Sequence, residues 1–364
     1  MAEGRAVLLC AGGTGGHLFP AEALALVLRG RGVAVELATD SRAIKYGADF
    51  PARATHAVHA ATPTGGGVIS KARAALTLAR GTFQARGIIA QIKPLAVVGF
   101  GGYPTVPPVL AATQLNVPTL LHEQNAVMGR ANRFLARRVT RIATGFPTLG
   151  GADEKIRGKL TFTGNPVRPA VLAAARLAYP GGSGMLHCLV TGGSQGARVM
   201  SDVVPAAIAL LGAERRASIK LVQQARGEDR AKVAQAYAAL NFSAETAPFF
   251  PDLPARMAQA HLVIARAGAS TVSELAVIGR ACVLVPFPYA LDQDQAANAA
   301  ELARTGAATV IAQKDFSPQW LAAFLARALG DPKGLASAAL AAKQAAVTDA
   351  AERLADIVME MTRR

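Results

Sequence analysis

Cysteine is scarce in this 364-residue chain, and its three copies are scattered as Cys10, Cys188 and Cys282. Each cysteine lies in a short apolar run. An odd number of widely spaced cysteines argues against a disulfide framework and against a zinc cluster. We therefore expect three packed thiols in a reducing compartment.

Long apolar runs are also missing, because no stretch approaches 18 consecutive apolar residues. Glycines from residue 12 onwards interrupt the apolar run near the amino terminus, and no secretory signal is visible. The sequence therefore predicts a cytoplasmic chain without a membrane span.

Several common nucleotide-site and metal motifs are absent. No stretch fits G-x-G-x-x-G, the nicotinamide or flavin fingerprint, and none fits G-x-x-x-x-G-K-[ST], so nothing supports ATP hydrolysis. The pair His122-Glu123 has no second histidine at zincin spacing. Aromatic residues make up only 5% of the chain and do not alternate with its basic clusters, which argues against nucleic-acid binding by base stacking.

Acidic residues are rare in one region, although the net charge of the whole chain is +15. Residues 50–152 contain eleven lysines and arginines but only one acid, Glu123. A surface of this kind attracts an anionic partner, which could be nucleic acid, a phosphorylated substrate or an acidic lipid surface.

The length and the hydrophobic pattern indicate two α/β domains. Helical patterns rich in alanine and leucine alternate with short apolar runs at residues 7–10, 95–98, 120–121, 189–190, 262–264 and 282–285. This alternation predicts doubly wound parallel sheets. We expect a first domain over residues 1–163, a second over 164–340, and a C-terminal helical tail over 341–364 that packs back on the first domain.

A glycine-rich turn at residues 12–16 follows the first apolar run and precedes a helix predicted over residues 20–28. Such a turn gathers unpaired backbone N–H groups and the positive end of a helix dipole, which together favour an anion. The pattern recurs 180 residues later, where Gly192, Gly193, Ser194 and Gly196 match the first turn. His17 becomes Ala197 in the second copy, so only the first turn carries a group able to transfer a proton.

Residues 68–86 combine apolar residues at helical spacing with Lys71, Arg73, Arg80 and Arg86. An ordinary packed helix and a basic amphipathic surface that contacts a membrane both fit this pattern. A second basic helix is predicted over residues 130–141.

The second half offers a further helix start after the apolar run at 262–265. There Arg266 and small residues precede Glu274, which could accept hydrogen bonds from the two hydroxyls of a ribose. Asp292 and Asp294 have three possible roles: they could bind Mg²⁺, begin a helix or bind sugar hydroxyls. We expect no metal requirement, because the positive ends of helix dipoles can stabilise the phosphates of a ligand instead. Glu123 is the rival of His17 as a base, but nearby cations should lower its pKa and leave it a structural role.

Six motifs taken together resemble the MurG family, the membrane-associated N-acetylglucosaminyltransferases of peptidoglycan synthesis. They comprise residues 12–17, 99–103, 122–125, 164–168, 192–197, and Ser273-Glu274 through Gln295 and Asn298. The resemblance implies a GT-B fold, in which two Rossmann-like domains face one cleft. It implies inverting transfer of GlcNAc from UDP-GlcNAc to the C4 hydroxyl of undecaprenyl-diphospho-MurNAc-pentapeptide, which converts lipid I into lipid II.

The resemblance also assigns roles by motif position. His17 is the expected general base. Donor-binding residues would be Arg168, Ser194, Phe250, Arg266, Ala269, Ser270, Glu274 and Gln295. Acceptor-binding residues would be Thr14, Gly15, Gly16, Tyr103, Asn125 and Asn132. No cofactor is expected, and Mg²⁺ stimulation stays open.

The implied setting is the cytoplasmic face of the inner membrane, with an anionic lipid surface and other cell-wall synthesis proteins as partners, and with roles in cell shape and division. A GT-B glycolipid synthase with a diacylglycerol acceptor is the nearest alternative. A non-catalytic nucleic-acid-binding protein is the more distant one.

Overall fold

The chain divides into two compact units. The computed structural model describes residues 5–12, 15–40, 50–61, 67–181, 184–193, 196–290 and 293–363, without the side chains of residues 68, 69 and 71. Unit 1 comprises Met1–Arg168 and Asp349–Arg364, and unit 2 comprises Pro169–Thr348. The boundary lies after residue 168 instead of the predicted 163, because Gly164 and Asn165 form hydrogen bonds with His122 and Gln124 of unit 1.

Unit 1 is built on a seven-stranded parallel sheet with the order β3-β2-β1-β4-β5-β6-β7. Its strands are β1 (Ala6–Cys10), β2 (Ala34–Thr39), β3 (Ala54–Ala57), β4 (Ala96–Gly99), β5 (Thr119–Glu123), β6 (Arg141–Thr144) and β7 (Leu160–Phe162). Alternate residues of β1 enter different cores: Val7 and Leu9 face one side, and Leu8 and Cys10 face the other. The sheet is therefore buried on both faces, which explains why β1 is apolar throughout.

The helices of unit 1 cover those two faces. They are α1 (Gly15–Gly30), α2 (Val68–Ile92), α3 (Val106–Gln114), α4 (Arg130–Leu135), α5 (Glu154–Arg157) and, from the end of the chain, α15 (Ala350–Thr362). Helices α1 and α15 pack together on one face, and α2, α3 and α4 contribute to the core on the other.

Unit 2 has a six-stranded parallel sheet with the order β10-β9-β8-β11-β12-β13. The strands are β8 (Leu186–Thr191), β9 (Ile219–Gln224), β10 (Ala244–Ala247), β11 (Leu262–Ala265), β12 (Ala281–Leu284) and β13 (Ala308–Val310). The helices are α6 (Pro169–Ala174), α7 (Arg198–Leu210), α8 (Ala213–Ala217), α9 (Gly227–Ala238), α10 (Leu253–Gln259), α11 (Ala269–Ile278), α12 (Asp294–Ala303), α13 (Pro318–Gly330) and α14 (Pro332–Gln344). The prediction of two doubly wound parallel-sheet domains is confirmed.

Three helix predictions were wrong in their bounds. Helix α1 begins at Gly15, five residues before the predicted start, since Pro20 removes only the hydrogen bond to Gly16 in the first turns. Helix α4 ends at Leu135 because the chain turns into β6, which begins at Arg141. The predicted continuous tail is two helices, of which α14 belongs to unit 2 and α15 to unit 1.

All three cysteines are free and buried in strands, as the sequence predicts. Burial raises the pKa of each thiol because the thiolate would lose its hydration. They therefore pack as small apolar groups.

Candidate functional site

The imidazole of His17 lies in the first turn of α1, at the carboxyl end of the sheet of unit 1. Three glycines contact it. A Cβ atom on Gly12, Gly101 or Gly102 would lie 3.4 Å from a ring atom of His17. Gly101 and Gly102 also have φ angles of 83° and 73°, which side-chain-bearing residues rarely adopt. The backbone of the turn after β4 therefore favours glycine at both positions, and a Cβ atom at any of the three positions would be in van der Waals contact with the ring.

The protonation state of His17 follows from this packing. Burial lowers the pKa of His17 to about 4, because the imidazolium would lose hydration. The ring is therefore neutral at pH 7 and has a nitrogen that accepts a proton. This is the state that a general base requires.

The carboxylate of Glu123, at the end of β5, is buried and accepts four hydrogen bonds. The donors are the backbone N–H groups of Asn125 and Gly129 and the side-chain amides of Asn125 and Asn132, at 2.8–3.3 Å. Burial raises the pKa of Glu123, so the expected lowering by nearby cations was wrong; its hydrogen-bond donors are neutral amides. The hydrogen bonds fit the structural role expected for this residue.

Two of the expected acceptor residues, Asn125 and Asn132, contact this carboxylate. Asn132 is buried and donates to Glu123, and a Cβ atom on Gly101 would lie 3.5 Å from its Nδ2, beside the ring of His17. Tyr103 follows Gly102 directly and is partly buried. Gly15 and Gly16 begin α1, and Thr14 lies outside the described residues.

In unit 2 the side chain of Gln224 makes several hydrogen bonds with the matching turn after β8. Its Oε1 accepts from Thr191 Oγ1 at 2.8 Å and from the Gly192 N–H at 3.0 Å. Its Nε2 donates to the carbonyls of Gly193 at 3.0 Å and Pro248 at 3.1 Å. Gln224 therefore joins the glycine-rich turn to the loop after β10. Ser194 lies outside the described residues.

Helix α11 begins next to that turn in the sheet order, with Gly268 before it and Ala269 buried at its first position. The N-cap residue Gly268 has no side chain to cap this end, and the first N–H groups of a helix have no partner within the helix. Ser270 is partly exposed, and Glu274 lies one turn further in and is buried. This geometry suits an anion with a hydroxyl-bearing group beside it.

Arg266 lies two residues before Gly268, the N-cap of α11, and its guanidinium is held by the loop after β12 and by Gln313. The guanidinium donates to the carbonyls of Val285 and Pro286 at 3.0 and 3.2 Å and to Gln313 Oε1 at 2.6 Å. Burial lowers the pKa of Arg266. Among the described residues no carboxylate forms an ion pair with it. Its charge therefore adds to the positive end of α11.

Gln295, in the first turn of α12, connects two loops at this edge. Its Oε1 accepts from the N–H groups of Ala267 at 3.3 Å and Phe287 at 2.9 Å. Asp294 accepts from the N–H of Gln295, and Asp292 lies outside the described residues. The described parts of the chain contain no group of three metal-ligating side chains.

The sequence matches the glycosyltransferase family 28 N-terminal domain over residues 7–144 and its C-terminal domain over residues 187–354. A similar protein from Methylorubrum extorquens strain PA1 is named UDP-N-acetylglucosamine--N-acetylmuramyl-(pentapeptide) pyrophosphoryl-undecaprenol N-acetylglucosamine transferase. It is 57% identical over 357 residues, 97% of each chain. The protein of that name from Methylobacterium nodulans is 58% identical over 358 residues, 97% of this chain and 96% of that one. The crystal structure of Acinetobacter baumannii MurG superposes with a TM-score of 0.79 at 29% identity, covering 98% of this chain and 100% of that chain. The chain belongs to the MurG family.

This MurG family member is a glycosyltransferase with the GT-B fold, so the fold and enzyme class implied by the resemblance are confirmed. None of its described helices has both the length and the apolar character that crossing a membrane requires.

Two of the expected donor residues lie in unforeseen surroundings in this MurG family member. Arg168 belongs to unit 1, where its guanidinium stacks at 4.0 Å on the ring of Phe19 in α1. Phe250 is buried, and the Arg256 guanidinium covers its ring at 4.4 Å. The neighbouring Phe249 is 64% exposed and offers the accessible ring of that loop.

Sequence reasoning missed the buried glutamines that connect the loops of this MurG family member. Gln124 donates to the carbonyl of Phe100 at 2.9 Å and to His122 Nδ1 at 3.3 Å, and Gln224 makes the contacts described above. The sequence could have indicated these glutamines by their position, because each lies at or just after the end of an apolar strand, where ligand-facing loops begin.

Proposed function

We propose that this chain transfers GlcNAc, with inversion, from UDP-GlcNAc to the C4 hydroxyl of undecaprenyl-diphospho-MurNAc-pentapeptide. The observation that carries this proposal is the near-full-length similarity to transferases of that name, at 57–58% identity. The neutral imidazole at the carboxyl edge of unit 1 and the uncapped helix start in unit 2 supply the chemistry that the reaction needs.

His17 acts as the general base. As the acceptor oxygen forms its bond to the anomeric carbon, the imidazole takes the hydroxyl proton, and the bond from that carbon to the UDP oxygen breaks. The approach of an anionic diphosphate raises the pKa of the imidazole, which strengthens the base when the acceptor is bound. General base catalysis of this kind contributes roughly 10²- to 10⁴-fold.

The departing UDP gains negative charge, which the first N–H groups of α11 and of the turn after β8 stabilise. Arg266 adds positive charge just before the start of α11, and Gln295 accepts a hydrogen bond from the loop that precedes α11. Glu274 binds the ribose hydroxyls. These groups perform the task that a metal ion performs in other transferases, so that the reaction proceeds without one.

A transfer assay with labelled UDP-GlcNAc and a short-chain muramoyl-pentapeptide diphospholipid tests the proposal. We expect a disaccharide product, with equal rates in the presence and absence of a chelator. A diacylglycerol acceptor run in parallel tests the alternative glycolipid synthase. Transfer to diacylglycerol alone would overturn the assigned acceptor, and loss of activity with chelator would overturn only the metal-free mechanism.

The second part of the proposal concerns the membrane. Four residues of α2 lie at spacings of three, four and three along the helix and are all exposed: Arg73, Leu76, Arg80 and Phe83. We call them the α2 face. Leu76 is 53% exposed and Phe83 is 81% exposed, which favours the membrane-contact alternative over an ordinary packed helix. The α2 face docks the enzyme on anionic lipid at the cytoplasmic side of the inner membrane, beside other cell-wall synthesis proteins that link it to cell shape and division.

Replacement of Leu76 and Phe83 by serine tests this docking. Because burying one large apolar side chain contributes about 1.5–3 kcal/mol, we expect at least a tenfold lower partition into anionic vesicles in a flotation assay. The matched control is L177S/L210S, which changes two exposed leucines of unit 2. Equal partition of both variants would show that another surface binds the membrane.

A further inference from the structure

Unit 1 has a cavity of about 310 Å³ that the proposed reaction does not use. It opens where β5 and β6 begin, beside Thr119 and Arg141, and Glu360 and Met361 of α15 also line it. Strand β5 has five residues and ends at Glu123, so the cavity is about 13 Å from the edge that carries His17. We call it the Arg138–Arg141 pocket, after its two arginines.

The charges in this pocket are unequal. Arg141 Nη2 lies 3.1 Å from Glu360 Oε1. Arg138 donates to the carbonyl of Phe134 at 2.6 Å, and within the described part of the chain no carboxylate forms an ion pair with it. Two guanidinium groups thus face one carboxylate. The Glu360 carboxylate pairs with the Arg141 guanidinium at the place where a bound anion would pair with it.

Of two threonines in the pocket wall, Thr140 is exposed and can offer a hydroxyl donor, whereas Thr119 is 1% exposed and its Oγ1 lies 3.5 Å from that of Thr140. Thr119 and Thr140 both line the pocket, and each hydroxyl oxygen accepts the backbone N–H of the other residue at 3.2 Å. These bonds fix the two hydroxyls beside the arginines. Guanidinium forks with hydroxyl donors form a set that recognises phosphate oxygens.

The surroundings of the pocket point to a lipid as the source of that phosphate. Phe134 is 50% exposed, and the Arg138 guanidinium lies 4.8 Å above its ring. Arg86 of α2 donates to Gln114 at the end of α3, next to Thr113 of the pocket wall. Helix α3 therefore contacts both the pocket and α2, the helix that carries the α2 face. The exposed ring of Phe134 lies next to Arg138 of the pocket.

We propose that the Arg138–Arg141 pocket binds the phosphate of an anionic phospholipid headgroup, which displaces Glu360 from Arg141. This inference rests on the membrane docking proposed above. It adds a defined headgroup site to a surface that otherwise binds through general charge and apolar contact.

The first test compares vesicles of phosphatidylglycerol and phosphatidylcholine with vesicles of phosphatidylcholine alone. Since each basic residue at an anionic surface contributes about 1 kcal/mol, R138Q/R141Q should lower the partition into the anionic vesicles by about tenfold to thirtyfold. The charge-matched control R215Q/R230Q, in α8 and α9 of unit 2, should lower it by less than about threefold. Equal losses in the two variants would overturn the pocket and leave only general charge.

The second test changes the resident carboxylate. E360Q should bind anionic vesicles more tightly than wild type, because the headgroup no longer competes with Glu360. D356N removes the same charge from α15 but frees Arg31, which is not among the residues lining the pocket. Equal gains in E360Q and D356N would contradict a competition at Arg141.

The third measurement separates a lipid from a free phosphate. Calorimetry with glycerol phosphate should show no binding at millimolar concentrations. Binding of glycerol phosphate that R138Q/R141Q abolishes, without any change in vesicle partition, would assign the pocket to a soluble phosphate and overturn the lipid source.

Transfer to a water-soluble acceptor is measured for every variant of this subsection. It should stay at the wild-type rate, so that failure of the pocket is distinguishable from failure of the transferase.

Discussion

At the scale of single residues, the two histidines nearest the glycine-rich edge of unit 1 are held neutral by burial. Burial lowers the pKa of both His17 and His122 to about 4. For His17 the consequence is chemical, since a neutral ring can take a proton. For His122 it is structural, because the ring lies between Gly164, whose carbonyl it contacts at 3.0 Å, and the Gln124 amide.

His122 should make the stability of unit 1 depend on pH. Its folded-state pKa is lower than that of an unfolded histidine, near 6.5, so the unfolded chain binds the extra proton first as the pH falls. The contribution is therefore complete above pH 6.5 and is lost towards pH 4. Between pH 7 and pH 5 the free energy of unfolding should fall by about 2 kcal/mol on account of His122. Urea unfolding of H122Q should show a correspondingly smaller loss over this range, and an unchanged pH slope would contradict the burial argument.

Gln224 is expected to be a positioning residue for the donor. Q224A removes the contacts to Thr191, Gly192, Gly193 and Pro248, so we expect the KM for UDP-GlcNAc to rise about tenfold or more while kcat changes less. Q224E keeps the two acceptor contacts but loses both donor contacts, and should fall between Q224A and wild type.

The matched control for Q224A is Q223A. Gln223 is the neighbouring buried glutamine, but it bonds to Met200 and Tyr237 in the core. Q223A should therefore lower the melting temperature without changing the donor KM. Equal KM values for the two variants would reduce Gln224 to a residue of general stability.

At the scale of helices and strands, the apolar runs predicted the central strands well. Strands β1 and β11 are buried throughout and consist of adjacent apolar residues, which a single sequence shows directly. Strand β8 keeps this pattern except at the partly buried His187 and at Thr191. Helix ends were harder to predict. Pro20 suggested a helix start, yet the helix already includes Gly15, because packing of Leu18 in the core outweighs the poor helix propensity of the glycines.

The site could be predicted only where its residues are unusual. The four glycines around residue 14 and the histidine beside them stand out in the sequence. Gln124 and Gln224 do not, because a glutamine near a strand end has many ordinary explanations, and its partners come from loops far away in the chain. The sequence also left two alternatives for α2, a packed helix or a membrane-contacting one. Helical periodicity shows that apolar residues share one side of a helix but does not show whether that side packs in the core.

Helix α15 should be fixed to unit 1 mainly by its apolar face. Leu354 is fully buried against the core that α1 shares, whereas Asp356 forms an exposed ion pair with Arg31. L354A should lower the free energy of unfolding by about 2–5 kcal/mol. D356N should cost less than about 1 kcal/mol. Chemical denaturation followed by circular dichroism measures both, and a larger loss in D356N would reverse this order.

At the scale of the whole molecule, the repeat at an offset of 180 residues corresponds to matching topologies. Strands β1 and β8 occupy the same place in their sheets, with the next two strands of each unit on one side and the following strands on the other. Each carries a glycine-rich turn at its carboxyl end. The two turns differ chemically, because His17 follows the first and the buried Ala197 occupies that position in the second. In the proposed mechanism the second glycine-rich turn binds the donor diphosphate and the first carries the proton acceptor.

The central claim is that His17 is the proton acceptor of a glycosyl transfer. The most direct measurement is the single-turnover rate of transfer from labelled UDP-GlcNAc in wild type and in H17Q, with UDP affinity measured by calorimetry on the same samples. We predict a rate lower by roughly 10²- to 10⁴-fold in H17Q, with UDP affinity unchanged. A wild-type rate in H17Q would contradict the claim.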